Sequence, residues 1–161
     1  MKSQDDNLTQ QQKNKQFIQE AIEQFFNRHD LTAPDRIYDP GFVQHNAKVA
    51  AMTAAQGMTN LEGVKSFFSM LFTAFPDYRV EIEHIMAEED QVFLVCNWFG
   101  THRGEFMGVP ATGKQIRVRT AEVLTIANGK IVAHWDVEDQ TEMMIQLGLL
   151  NETQPQVGKE R

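Results

Sequence analysis

His134-Trp135-Asp136 places an imidazole and a carboxylate two residues apart in an apolar run. Side chains two apart along a strand leave the same face about 7 Å from one another. Just before this run, Asn128-Gly129 carries the two-residue signal of a tight hairpin, which folds the stretch back against the one preceding it. Glu122 and Thr120 interrupt the apolar face of that preceding stretch, and opposed residues of such a ribbon sit about 5 Å apart. Thr120, Glu122, His134 and Asp136 are therefore expected to converge on one side of a two-stranded ribbon. A carboxylate in an apolar pocket has its pKa pushed upward and can exchange protons near neutrality. The chemistry indicated is general acid/base catalysis, with Asp136 moving the proton and His134 orienting Asp136 or polarising a carbonyl. A surface role for Asp136 and plain packing roles for Glu122 and His134 stay open.

Other residues are weaker candidates. His102, in Gly100-Thr101-His102-Arg103-Gly104, could orient Asp136 or polarise a carbonyl across a pocket mouth, or merely hold a turn. His45 follows a short extended segment and is a candidate substrate contact near the opening. Trp98 and Trp135 are expected to shape the cavity. His84 falls on an apolar strand face and reads as packing. Asp139 reads as a helix cap. Cys96, the one cysteine, sits in an apolar run and reads as a buried, inert thiol.

Several classes of function are disfavoured. None of the five histidines has the spacing of a metal motif such as H-E-x-x-H, so no metal is expected. No Gly-x-Ser-x-Gly elbow is present, and Gly100, Gly104 and Gly108 are not spaced as a phosphate loop. The formal charge of -7 argues against nucleic acid, whose binding needs a basic face. No stretch approaches the ~20 apolar residues of a membrane span. Met1 to Lys15 is polar and Gln-rich, without an apolar signal core, so cytoplasmic residence is expected.

The elements that must position these side chains can be read from periodicity. Residues 1–14 read as a disordered leader, 15–150 as one domain and 151–161 as a frayed tail. Phe17, Ile18, Ala21, Ile22 and Phe25 recur at helical spacing, predicting a helix to about Arg28. Pro34 starts a short second helical turn. Tyr38-Asp39-Pro40-Gly41 reads as a turn and Phe42 to Asn46 as a short extended segment. Lys48 to Met58 fits either a loop or a loose helix over a pocket. Leu61, Val64, Phe67, Phe68, Leu71, Phe72 and Phe75 form one helical stripe. Thr59 and Glu62 supply its capping box, and Pro76 its end.

Beyond Pro76 the period changes to two. Tyr78, Val80, Ile82, His84 and Met86 alternate with polar residues as a first half-buried strand. Gln91 to Thr101 is apolar on nearly both faces, hence central. Ile116 to Ile126 and Lys130 to Val137 form the hairpin, and a short helix capped by Asp139 closes at Gly148. Helices first and antiparallel strands after predict an α+β fold, with helices packed over one face of a curved sheet.

Three stretches together are similar to the SnoaL-like polyketide cyclases: Phe75-Pro76-Asp77, the run from Gly100 to Lys114, and Gly129-Lys130-Ile131-Val132-Ala133-His134-Trp135-Asp136. The closing Gln146-Leu147-Gly148 also fits, and the resemblance covers about residues 15 to 150. It implies a cone-shaped curved antiparallel sheet with N-terminal helices over it, an α+β barrel of the nuclear-transport-factor-like kind, paired as a homodimer. It also implies a hollow for a small apolar ligand, no metal or organic cofactor, and Asp136 as general acid/base in an intramolecular aldol closure. Glu122 departs from the family's neutral hydrogen-bonding residues beside the enolate, which bears on a polyketide substrate more than on acid/base chemistry. The readings weighed are an acid/base cyclase, isomerase or lyase acting on a carbonyl compound, a non-catalytic binder of small apolar molecules, and a filled structural dimer module.

Overall fold

A computed structural model describes residues 8–151. The proposed leader at residues 1–7 and the tail at 152–161 lie outside the described residues. Helix α1, Gln10–Ile22, begins earlier than its apolar stripe indicates, because Thr9 and Gln12 form a capping box that satisfies the first backbone donors. Residues 10–14 are thus part of the helix and not of a leader. The helix runs on as a π-helical segment, Glu23–Asn27. Asn27 fastens that end to the sheet, accepting from Val80 N at 2.7 Å and donating to Val80 O at 3.2 Å.

The short helix α2, Pro34–Ile37, leads into strand β1, Tyr38–Gln44. The expected turn at Tyr38–Gly41 belongs to this strand, with a register irregularity between Tyr38 and Val43. Lys48 to Met58 proves largely helical, as α3, Ala47–Ala55. Helix α4, Asn60–Ala74, has the predicted Thr59–Glu62 capping box and stops before Pro76. Then follow β2, Arg79–Glu88, β3, Gln91–Thr101, β4, Gln115–Ala127, β5, Lys130–Glu138, and α5, Gln140–Leu147. Asp139 caps α5 by accepting from Glu142 N, and Gly148 ends it in the left-handed region at φ 81°. Asn128 and Gly129, at φ 52° and 71°, make the turn between β4 and β5.

The five strands lie in the order β1-β5-β4-β3-β2. The α+β class and the curved sheet beneath helices agree with expectation, but the sheet is mixed: β1 runs parallel to β5. Bulges at Ile82/His84 in β2 and at Thr125/Ile126 between β4 and β5 bend it. The first of these also reverses the facing of β2. Ile85 and Ala87 turn inward in place of His84 and Met86, and His84 is exposed where a packed side chain was expected.

Helix α1 packs on β2 and β3, α4 on β1, and α5 on β4. The core between helices and sheet is an aromatic cluster. Phe25 meets Phe68 at 5.0 Å and Phe72 at 6.1 Å between ring centres, and Tyr78 meets Trp98 at 5.3 Å. The 102–114 loop is docked against the end of α4 by Arg103 N and Gly104 N, both donating to Ala74 O at 2.9 and 3.0 Å. A Cβ on Gly104 would lie 2.8 Å from Thr73 O and 3.1 Å from Ala74 Cα. These are backbone atoms that cannot rotate aside. Gly104→Ala should therefore destabilise the fold by about 1–3 kcal/mol, seen as a lower urea midpoint at unchanged m-value. A variant as stable as the wild type would contradict this close docking.

Candidate active site

Helices and sheet enclose a cavity of about 450 Å³, a size suited to a small organic molecule. Ile18 and Ile22 of α1, Phe25 of the π-helical segment, and Phe67, Phe68 and Leu71 of α4 form much of its apolar wall. The sheet adds Tyr78, Leu94, Trp98 and Leu124. One side is polar, made by Gln44, Asn46, Thr120, Glu122, His134 and Asp136, with Glu138 and Gln140 beyond them. No lysine or arginine is among the described lining residues.

Strand pairing creates that polar side. Glu122 of β4 stands opposite Asp136 of β5, Leu124 stands opposite His134, and Gln44 of β1 stands opposite His134 on its other flank. The polar contacts form a connected series. Thr120 Oγ1 donates to Glu122 Oε1 at 2.8 Å, and Glu122 Oε2 lies 3.4 Å from His134 Nε2. Asp136 Oδ1 is 4.0 Å from the same nitrogen. Gln44 Nε2 meets His134 Nδ1 at 3.1 Å, and Asn46 Nδ2 donates to Asp136 Oδ2 at 2.7 Å. Asn46 also accepts from Val49 N in the first turn of α3, at 3.2 Å, so α3 helps to aim the amide that holds Asp136.

This environment drives the two carboxyls apart. Burial raises the Asp136 pKa above its ordinary value, and the nearby Glu122 charge adds to the rise, outweighing His134 and the Asn46 hydrogen bond. Burial also pushes Glu122 upward, but its contacts with His134 and Thr120 outweigh it and leave Glu122 lowered. Two neighbouring acids with opposed shifts can divide acid and base roles between them. Burial, with Glu122 and Asp136 nearby, pushes the Tyr38 phenol far up, so it stays a neutral donor. Tyr78, also buried on the lining, is shifted the same way.

The structure brings together Thr120, Glu122, His134 and Asp136 on the cavity wall, with Trp98 nearby. It does not bring His102, His45 or Trp135 there. His102 is fully buried, with Nδ1 3.1 Å from Thr112 Oγ1 and its ring stacked on Phe75. Phe75 in turn packs on Trp98 and Phe106, so His102 sits a layer of rings behind the wall and serves the 102–114 loop. His45 is exposed; its backbone N–H donates to His134 O at 2.8 Å. Trp135 is 46% exposed because β5 alternates and turns it to the outer face. Cys96 is buried on the lining, its thiol pushed up to about 12 by burial and Glu122. Among the described residues, no group of three or more His, Cys, Asp and Glu side chains could hold a metal ion.

Gln44, Asn46 and Tyr38 were missed by sequence reasoning. Their only local signal is the alternation of buried Phe42 and Gln44 in a short segment. Their place in the site depends on the parallel pairing of β1 with β5, which nothing near them in sequence announces.

The chain matches the model of the SnoaL-like polyketide cyclase family over residues 16–147. No curated protein matches it. Among solved structures, AclR from Streptomyces galilaeus, named as a candidate hydroxylase, is 30% identical, with a TM-score of 0.71 over 86% of this chain and 97% of that one. IdmH from Streptomyces antibioticus, named as a candidate polyketide cyclase, is 28% identical, with a TM-score of 0.71 over 84% of this chain and 98% of that one. TsrD from Streptomyces laurentii, at 22% identity, is similar in fold, with a TM-score of 0.75 over 89% of this chain and all (100%) of that one. The fold is thus one used by small-molecule-processing enzymes.

A raised Asp136 pKa has a consequence for stability. Between the ordinary value of 3.8 and the raised folded value, the native state binds more protons than the unfolded chain. Stability from this group is then present at acid pH and lost as pH rises through that window. Asp136→Asn removes the burden of the buried charge and keeps an oxygen to accept from Asn46. Its melting temperature should exceed that of the wild type at pH 7, with the difference shrinking towards about pH 4. A variant less stable than the wild type at neutral pH would mean the Asp136 charge is welcome where it lies.

Proposed function

We propose, from the premise that the chain belongs to the SnoaL-like polyketide cyclase family, that it is an acid/base enzyme of the cyclase, isomerase or lyase type. Its substrate is a small, largely apolar carbonyl compound, polyketide-like in carrying an activated carbon beside a carbonyl. The observation that carries this reading is the Asp136 carboxyl, raised in pKa and held by Asn46 on the polar side of a largely apolar cavity. In its ionised form Asp136 removes a proton from the carbon next to the carbonyl, leaving an enolate. The enolate then closes onto a second carbonyl of the same molecule or takes the proton back elsewhere. The Tyr38 phenol and His134 Nε2–H, both on the cavity lining, would donate to the enolate oxygen. With no lysine or arginine on the described lining, the cavity favours a neutral compound over a carboxylate.

The test is solvent deuterium uptake at the carbon beside the carbonyl of 2-tetralone, a neutral ketone of fitting size. Wild-type protein should catalyse the exchange. Asp136→Asn should bind the ketone yet exchange it about 10²–10⁴-fold more slowly. Tight binding without exchange by the wild type would instead identify a non-catalytic binder.

The partner is proposed to be a second copy of the chain. Cross-strand rows Met86–Phe93–Val123–Trp135 and Val95–Ala121–Val137 lie on the outer sheet face, away from the cavity. Met86, Trp135 and Val137 are 59%, 46% and 54% exposed, and a contiguous apolar patch of this kind favours burial by a partner. The working location is taken to be the cytoplasm; no helix among the described residues is long and apolar enough to cross a membrane. Light scattering should give a dimer mass for the wild type and a monomer mass for Trp135→Glu. A monomeric wild type, or a variant that stays dimeric, would refute the pairing.

A further inference from the structure

We infer that Gln44 locks His134 as the neutral imidazole protonated on Nε2, so that the ring serves the cavity as a hydrogen-bond donor and not as an imidazolium. The argument runs through the direction of each hydrogen bond. A side-chain amide has an oxygen on one side and a nitrogen on the other, and its partners decide which is which. Gln44 Oε1 accepts from the backbone N–H of Asn46 at 2.9 Å. That N–H can only donate, so turning the amide over would set two donors face to face. Gln44 Nε2 therefore points to His134 Nδ1, 3.1 Å away, and donates to it. Nδ1 must then be bare, and the ring proton sits on Nε2.

The backbone holds this arrangement in place. Gln44 and His134 are register partners in the parallel pairing of β1 with β5, and His45 N donates to His134 O at 2.8 Å just beyond them. That pairing sets the two residues side by side on neighbouring strands. The neighbouring amide is fixed by the same logic: Asn46 Oδ1 accepts from Val49 N, leaving Nδ2 for Asp136.

Several charged or titratable groups face the ring. Glu122 of β4 is 3.4 Å from Nε2, and Asp136 of β5 is 4.0 Å away. Tyr38 of β1 and Glu138 of β5 line the same cavity. Burial opposes a charged ring, while Glu122 and Asp136 favour one and tip the electrostatic balance upward. Hydrogen-bond direction overrides that balance, because an imidazolium would press Nδ1–H against the Gln44 amide N–H with no acceptor between them.

The catalytic meaning of the lock rests on the acid/base reading of Asp136. A neutral His134 keeps Nε2–H on the cavity side, 3.4 Å from Glu122 and without a hydrogen-bond partner among the described residues, so that it can donate to a ligand. It lends no positive charge to Asp136, whose raised proton affinity is preserved. Gln44 is on this account a positioning residue that acts through His134.

The lock can be tested without a substrate. In the full chain carrying ¹⁵N-labelled histidine, long-range ¹H–¹⁵N correlation spectra distinguish the two neutral tautomers from the imidazolium, and His134→Gln assigns the ring by loss of its signals. The wild type should show His134 neutral with the proton on Nε2 from about pH 8 to pH 5.5, where an ordinary histidine titrates. Gln44→Glu, whose carboxylate accepts from Nδ1–H, should convert the ring to imidazolium across that range. Gln44→Leu should leave it free to titrate. An imidazolium or an Nδ1–H tautomer in the wild type overturns the inference, and so does a Gln44→Glu spectrum like that of the wild type. If Gln44→Glu does not fold, the wild-type spectrum alone decides. Because this readout needs no turnover, its failure is distinguishable from failure of the deuterium-exchange test.

Discussion

Two carboxyls face one another across β4 and β5 inside an apolar hollow, and the surrounding architecture can be understood as what makes that tolerable. Glu122 and Asp136 are 23% and 14% exposed at the side chain. Like charges that close and that enclosed cannot both ionise freely, so one must be supported and the other must hold its proton more tightly. Thr120 donates to Glu122 and the His134 ring lies 3.4 Å from it, whereas Asp136, among the described residues, accepts from the Asn46 amide. That asymmetry of partners accompanies the opposed shifts of the two acids.

The partners come from the parts of the fold that depart from a simple run of antiparallel strands. Gln44 reaches the site because β1 enters the sheet parallel to β5, and Asn46 because the chain turns directly from β1 into α3. Apolar rings from α1 and α4 close the hollow from the other side and keep water from levelling the two acids. The 102–114 loop contributes Phe106 and Met107 to the lining, carried there by its docking on the end of α4. In this way, elements distant in sequence act on a single proton affinity.

Much of this was legible in the sequence where the signals are local. The Phe stripe of α4, the Thr59–Glu62 box, the Asn128-Gly129 turn and the Asp139 and Gly148 caps are each written within a few residues. The hairpin turn also sufficed to bring Glu122, His134 and Asp136 together, because register across a two-residue turn is short-range geometry. Reading failed where a bulge or a long-range pairing intervened. The bulge in β2 exposed His84, and the alternation of β5 that turns Asp136 inward turns Trp135 outward. His102 misled for another reason: a histidine in a glycine-rich stretch looks the same whether it faces a ligand or staples a loop through Thr112. Gln44 and Asn46 carry no chemical flag of their own and acquire a role only through the parallel strand.

The central claim is that Asp136 holds its proton more tightly than an ordinary carboxyl while Glu122 does not. The most direct measurement is a side-chain carboxyl ¹³C titration of the full-length protein, with Asp136→Asn and Glu122→Gln used to assign the two signals. The account predicts that Asp136 titrates above the ordinary aspartate value and Glu122 below the ordinary glutamate value. Asp136 titrating at or below its ordinary value, with Glu122 the raised group, would contradict it and move the acid/base role off Asp136.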